Sequence, residues 1–123
     1  MLNLLKARSE IAMLAREWRG WSEAIERAAI KVLGPCEVYV FGSVVKGHET
    51  GGSDVDMLII ADHLPRNFKA RGNLKARIEE EANLPLYHPF EIHIVTREEA
   101  EANHIYREAI KKGVALTTRK AEK

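Results

Sequence analysis

The sequence predicts an α/β fold: three or four strands with helices packed on them, preceded by an N-terminal helical segment. Three observations predict it. Val38–Phe41 and Met57–Ala61 are short, continuous apolar runs of the kind found in buried strands. Phe90–Val95, FEIHIV, alternates in strand fashion, with Phe90, Ile92 and Ile94 on one face and Glu91, His93 and Val95 on the other. Around these runs, apolar residues recur at three- and four-residue steps, the period of a helix.

Taken in order, residues 3–33 are helical. Leu4, Leu5, Ile11, Leu14, Ala15 and Trp18 make one stripe. Gly20 is placed to kink or divide the helix. Trp21, Ile25, Ala28, Ala29 and Val32 then run to Gly34-Pro35, a stop signal. Trp18 and Trp21, one turn apart, either pack on the sheet or form a partner-binding face. After a loop at Asp62–Arg66, residues 67–83 read as a helix. It is basic in its first half (Lys69, Arg71, Lys75, Arg77) and acidic at its end (Glu79, Glu80, Glu81), against the preference of the helix dipole. Two readings fit: a solvated surface helix, or a basic patch facing a nucleotide or an acidic partner. Leu84–Pro89 is a stiff connector, because each proline restricts itself and the residue before it. Thr96-Arg97-Glu98-Glu99 is a capping box opening another helix, whose buried side is expected at Ala100, Ile105, Ala109 and Ile110. Lys111-Lys112-Gly113 ends it, Val114–Thr117 suits a short last strand, and Arg119–Lys123 a frayed tail.

The 123 residues suit one domain, with a helical segment at 1–34 and a core at 37–117. With 46% hydrophobic and 30% charged residues, the composition is that of a soluble globular protein. A net charge of +1 supplies no broad basic field, so nucleic acid is not an expected partner. No apolar run approaches a membrane span, and Met1-Leu2-Asn3 opens no signal peptide. Cys36 has no second cysteine to pair with, which fits a reducing cytoplasm; beside Pro35 it reads as a small buried residue.

The chemistry lies in Val38–Ile60, VYVFGSVVKGHETGGSDVDMLII. A strand that ends in Gly42-Ser43 and enters a helical turn presents backbone N–H groups and a hydroxyl, a good cradle for phosphate. Asp54 and Asp56 lie two residues apart at the mouth of the next strand, so their carboxylates share a face. Like charges at such a position are costly without a partner, and a hard divalent cation such as Mg²⁺ suits them.

Gly42-Ser43, ten residues from Val44 to Ser53, then Asp54-Val55-Asp56 resembles the signature of the DNA polymerase β nucleotidyltransferase superfamily. With its short length, the chain is most similar to the minimal nucleotidyltransferases (MNT proteins) found paired with HEPN-domain partners in prokaryotes. The resemblance implies a polymerase β-like fold with a mixed sheet. It implies transfer of a nucleoside monophosphate, AMP from ATP, to a hydroxyl acceptor on a HEPN toxin, so that the chain acts as an antitoxin. Asp54 and Asp56 would ligate two Mg²⁺ ions, with Glu91 as third carboxylate on the neighbouring strand. The family residue there is usually Asp, and the other reading of Glu91 is a polar residue on an exposed strand face. Gly42, Ser43, Lys46 and Ser53 are the implied nucleotide contacts. Val44 replaces an Arg common in relatives and removes one phosphate contact.

Among the histidines, His48 lies in the motif loop and reads as a surface residue or a phosphate contact. His93 shares a face with Glu91, where it orients that carboxylate, touches the second substrate, or is a satisfied polar residue. His63, His88 and His104 lack zinc-like spacing. Two other functions compete with transfer to a protein. One is a small-molecule transferase like the aminoglycoside-modifying relatives, whose extra acceptor domain this chain lacks room for; the other is an antitoxin acting by contact alone. A homo-oligomer fits any of these.

Overall fold

The computed structural model describes residues 4–47 and 54–116. Helices α1 (Leu4–Arg16) and α2 (Trp18–Leu33) precede strand β1 (Cys36–Phe41) and strand β2 (Val55–Ala61). Then come α3 (Phe68–Glu81), β3 (Phe90–Val95), α4 (Arg97–Ala102), α5 (His104–Lys112) and the two-residue β4 (Val114–Ala115). The four strands form one mixed sheet in the order β3-β2-β1-β4, antiparallel except for the parallel pair β2–β3.

Period-two alternation sorts the strands onto two faces. Val38 and Val40, Val55, Met57 and Ile59, and Phe90, Ile92 and Ile94 join one buried cluster with Leu14, Trp18, Ile25, Ala28 and Ala29 of the N-terminal helices and Ile78 of α3. Tyr39, Leu58, Ile60 and Val95 form a second, smaller cluster on the other face, covered by Ala100 of α4 and Ala109 of α5. β2 is buried on both faces, which is why its sequence is apolar almost throughout.

Several local expectations are corrected. The N-terminal helix divides at Glu17, not at Gly20. A Cβ at Gly20 would meet nothing within 4 Å, so helix α2 runs through it without a packing conflict. Trp18 is buried, and Trp21 packs partly against the same cluster, so the core reading of this pair holds. The helix expected from Thr96 onward is two helices. Thr96 and Glu99 make the capping box of α4, and the Asn103 side chain then accepts from the Ile105 and Tyr106 amides to start α5 afresh. Ile105, expected inside, is 51% exposed as a result. Cys36 is only half-buried.

In α3, Arg71 is not part of a free basic patch. Its guanidinium donates to the Pro65 and Ile94 carbonyls and pairs with Glu99 at 2.6 Å, fastening α3 to β3 and α4. That pairing and the capping bonds hold the Glu99 carboxyl below its usual range. Among the described residues, no helix is long and apolar enough to cross a membrane.

Candidate active site

β1 runs antiparallel to β2 and β3 runs parallel to it, so the end of β1 and the starts of β2 and β3 meet at one end of the sheet. A site built there lies at the ends of three adjacent strands. Cross-strand register places Phe41, Asp56 and Glu91 in one row, and Tyr39, Leu58 and His93 in the next. Both rows lie on the face of the smaller core cluster.

Gly42 follows Phe41 with φ of 92°, a conformation that a residue with a Cβ rarely adopts. It also lies against the acid pair: a Cβ there would come within 2.6 Å of Asp56 Oδ2. The turn and the Asp56 carboxylate are thus in contact. From Ser43 the backbone winds through two tight turns, with Lys46 N–H donating to the Ser43 carbonyl and Gly47 N–H to that of Val44. Ser43 and Lys46 are exposed, whereas Val44 is buried in the main core. The inward-facing Val44 side chain offers no donor to a phosphate.

Asp54 is exposed and Asp56 half-buried, with 31% of its side chain still open. Burial pushes the Asp56 carboxyl above its usual range, the nearby His93 opposes this, and the Asp54 charge adds to it. The Val55 amide donates to the Pro89 carbonyl at 2.8 Å, tying this strand mouth to the connector before β3. Glu91, beside Asp56 in register, points into solvent. Ser53 and His48 lie outside the described residues.

Two further groups adjoin Asp56, one directly and one through the other, and of these the sequence singled out only His93. His93 brings Nε2 to 3.8 Å from Asp56 Oδ1, and Tyr106 of α5 places its hydroxyl 3.2 Å from His93 Nδ1. The strand alternation put His93 on the right face; nothing in the sequence linked Tyr106 to it. A groove of about 210 Å³ adjoins Gly42, lined by Phe41, Val45 and Lys46 on one side and His104, Ile105, Glu108, Ala109 and Lys112 of α5 on the other.

Among the described residues, no three His, Cys, Asp or Glu side chains are grouped so as to hold a metal ion. What the strand ends offer is a pair of carboxylates, one of them partly desolvated, with a third one strand away. That donor set fits Mg²⁺, which is typically held by one or two carboxylates and completed by substrate phosphates.

The model of the nucleotidyltransferase domain family matches residues 23–116 of the chain. The chain belongs to that family. A crystal structure of a protein whose own assignment as a nucleotidyltransferase is inferred resembles this nucleotidyltransferase with a TM-score of 0.58 and 28% identity, over 79% of this chain and 98% of the other. A second, from Sulfolobus solfataricus, is 19% identical over 91% of this chain and 92% of its own, with a TM-score of 0.49, too low to bear on the fold. No curated protein sequence matches the chain. The mixed sheet with flanking helices is thus a nucleotidyltransferase fold, and the reaction class is nucleotidyl transfer.

Proposed function

We propose that this nucleotidyltransferase is Mg²⁺-dependent and moves AMP from ATP to a hydroxyl on a protein partner. The observation that carries the reading is the contact between Gly42 and Asp56, with Glu91 alongside in register. It brings the turn that would bind phosphate against one of the carboxylates that would hold the metal.

In this reading Asp54 and Asp56 hold the metal, with Glu91 as a further ligand on the acceptor side. When bound, Mg²⁺ neutralises phosphate charge and polarises the phosphoryl oxygens. Gly42, the Ser43 hydroxyl and the turn amides bind the β- and γ-phosphates, and Lys46 adds a point charge; Ser53 is proposed as a further nucleotide contact. The groove beside Gly42 receives the rest of the donor. Glu91 takes the proton of the acceptor hydroxyl as its oxygen bonds to the α-phosphorus. The bond from the α-phosphorus to the bridging oxygen breaks in line, and pyrophosphate leaves.

A HEPN toxin is the proposed acceptor, which makes the chain an antitoxin. Support for that partner is the likeness of the motif and chain length to the minimal nucleotidyltransferases. The test is transfer of label from ATP carrying ³²P at the α-phosphate to a co-purified HEPN protein. The reading expects label on the partner with Mg²⁺, none with EDTA and none with Asp56→Ala. Neutralisation of the toxin without any label, by wild type and Asp56→Ala equally, would put contact-only inhibition in its place.

A further inference from the structure

We propose that His93 is a positioning residue for Asp56, and that Tyr106 fixes the tautomer in which it does so. The proposal rests on the reading of Asp56 as a metal ligand. Residues of three other elements converge on this imidazole of β3. Tyr106 of α5 meets it edge-on at a centroid distance of 5.6 Å, and Phe41 of β1 lies on another side at 5.9 Å. Its two nitrogens face different groups: Nδ1 the Tyr106 hydroxyl at 3.2 Å, and Nε2 the Asp56 carboxylate at 3.8 Å.

The second distance is an electrostatic contact longer than a hydrogen bond, so the sign of what Nε2 presents decides its effect. A neutral imidazole has one N–H and one lone pair. With the proton on Nε2, an N–H dipole faces the carboxylate and the Tyr106 O–H donates to Nδ1. With the proton on Nδ1, a lone pair faces the carboxylate, and Tyr106 can only accept. The first arrangement satisfies both ends, and the phenol O–H favours it. Partners that fix a histidine tautomer and orient a ligating carboxylate are the usual supporting shell of a metal site.

The two oxygens of Asp56 are then held from two sides. Oδ2 lies against the backbone of Gly42, and Oδ1 faces His93. Tyr106 reaches the sheet because Asn103 restarts the helix, its side chain accepting from the Ile105 and Tyr106 amides. The break that sequence periodicity missed thus has a use: it sets the start of the helix that carries the phenol to His93.

The test uses ¹⁵N-histidine-labelled protein and Mn²⁺ binding by electron paramagnetic resonance, on wild type, Tyr106→Phe, His93→Gln and His93→Leu. Circular dichroism checks that each variant is folded. The His93 signals are identified by their loss in His93→Gln. Neutral His93 should carry its proton on Nε2 in the wild type and become a tautomer mixture in Tyr106→Phe. His93→Leu should weaken Mn²⁺ binding about tenfold, the low end for loss of a supporting partner. His93→Gln, whose amide nitrogen reaches the place of Nε2, should recover most of that loss, which a merely space-filling role would not require. An Nδ1–H tautomer in the wild type, or equal Mn²⁺ affinity in all four proteins, overturns the proposal and leaves the metal reading standing. No Mn²⁺ binding by the wild type, with or without ATP, overturns the metal reading instead, and with it the role assigned to His93.

Discussion

On the face of the sheet that packs against α2 and α3, every buried residue that β1, β2 and β3 give to the core is apolar, from Val38 through Met57 to Ile94. On the opposite face the same strands are apolar over part of their length, with Tyr39, Leu58, Ile60 and Val95 under α4 and α5. That cover stops short. Beyond it, one row of residues, Phe41, Asp56 and Glu91, reaches the strand ends, with His93 behind it. The comparison teaches where a small sheet keeps its chemistry. One face is closed and supplies stability. The other is left partly uncovered, and there β2, apolar almost throughout, carries an aspartate that burial disfavours.

Substitutions at the two faces should therefore separate activity from stability. The largest effect is expected at Asp56. Asp56→Asn keeps the shape and removes the charge, at a loss of several kcal/mol of transition-state stabilisation, or roughly a thousandfold or more in transfer rate. The same variant should be more stable than the wild type at neutral pH without metal. Burial raises the folded-state value of this carboxyl, so ionising it costs stability as pH rises through that value, and the cost is absent well below the unfolded value. Thermal melts should show the gap between the two proteins closing as pH falls through the Asp56 titration.

The closed face should behave in reverse. Ile59 is fully buried there, and Ile59→Ala should lower stability by about 2–5 kcal/mol in denaturant titrations. Nucleotide binding per folded molecule should be unchanged. Gly42→Ala sits at the junction. Its positive φ costs a side chain about 1–3 kcal/mol, and the added Cβ displaces the Asp56 carboxylate, so both stability and metal affinity should fall. The smallest effect is expected at Thr96. Thr96→Ala removes the cap of α4 and should lower stability by about 1 kcal/mol, with activity retained.

Much of this arrangement was legible before folding. Continuous apolar runs marked the strands buried on both faces, and strict alternation in FEIHIV put Glu91 and His93 together on one face. The Thr96–Glu99 capping box was read correctly because it is a local hydrogen-bond pattern, complete within four residues. What failed was non-local or ambiguous. Gly20 looked like the weak point of the N-terminal helix, yet the break falls at Glu17, where no side chain caps α2. Asn103 did carry a signal, as a residue type that favours helix starts, but it was hidden inside an otherwise helical pattern. Tyr106 could not be tied to His93 from spacing, since only the packing of α5 on the sheet brings them together. The end-on location of the site depended on strand order, which places β2 inside the sheet and β1 and β3 on either side of it.

The most direct test of the uncovered strand ends is calorimetric titration of ATP into the purified protein, with Mg²⁺ and with EDTA, beside the double variant Asp54→Ala/Asp56→Ala. The account predicts binding that requires Mg²⁺ and disappears in the double variant while its fold is kept. Binding of equal strength in EDTA, or in the double variant, would contradict it and remove Asp54 and Asp56 from the site.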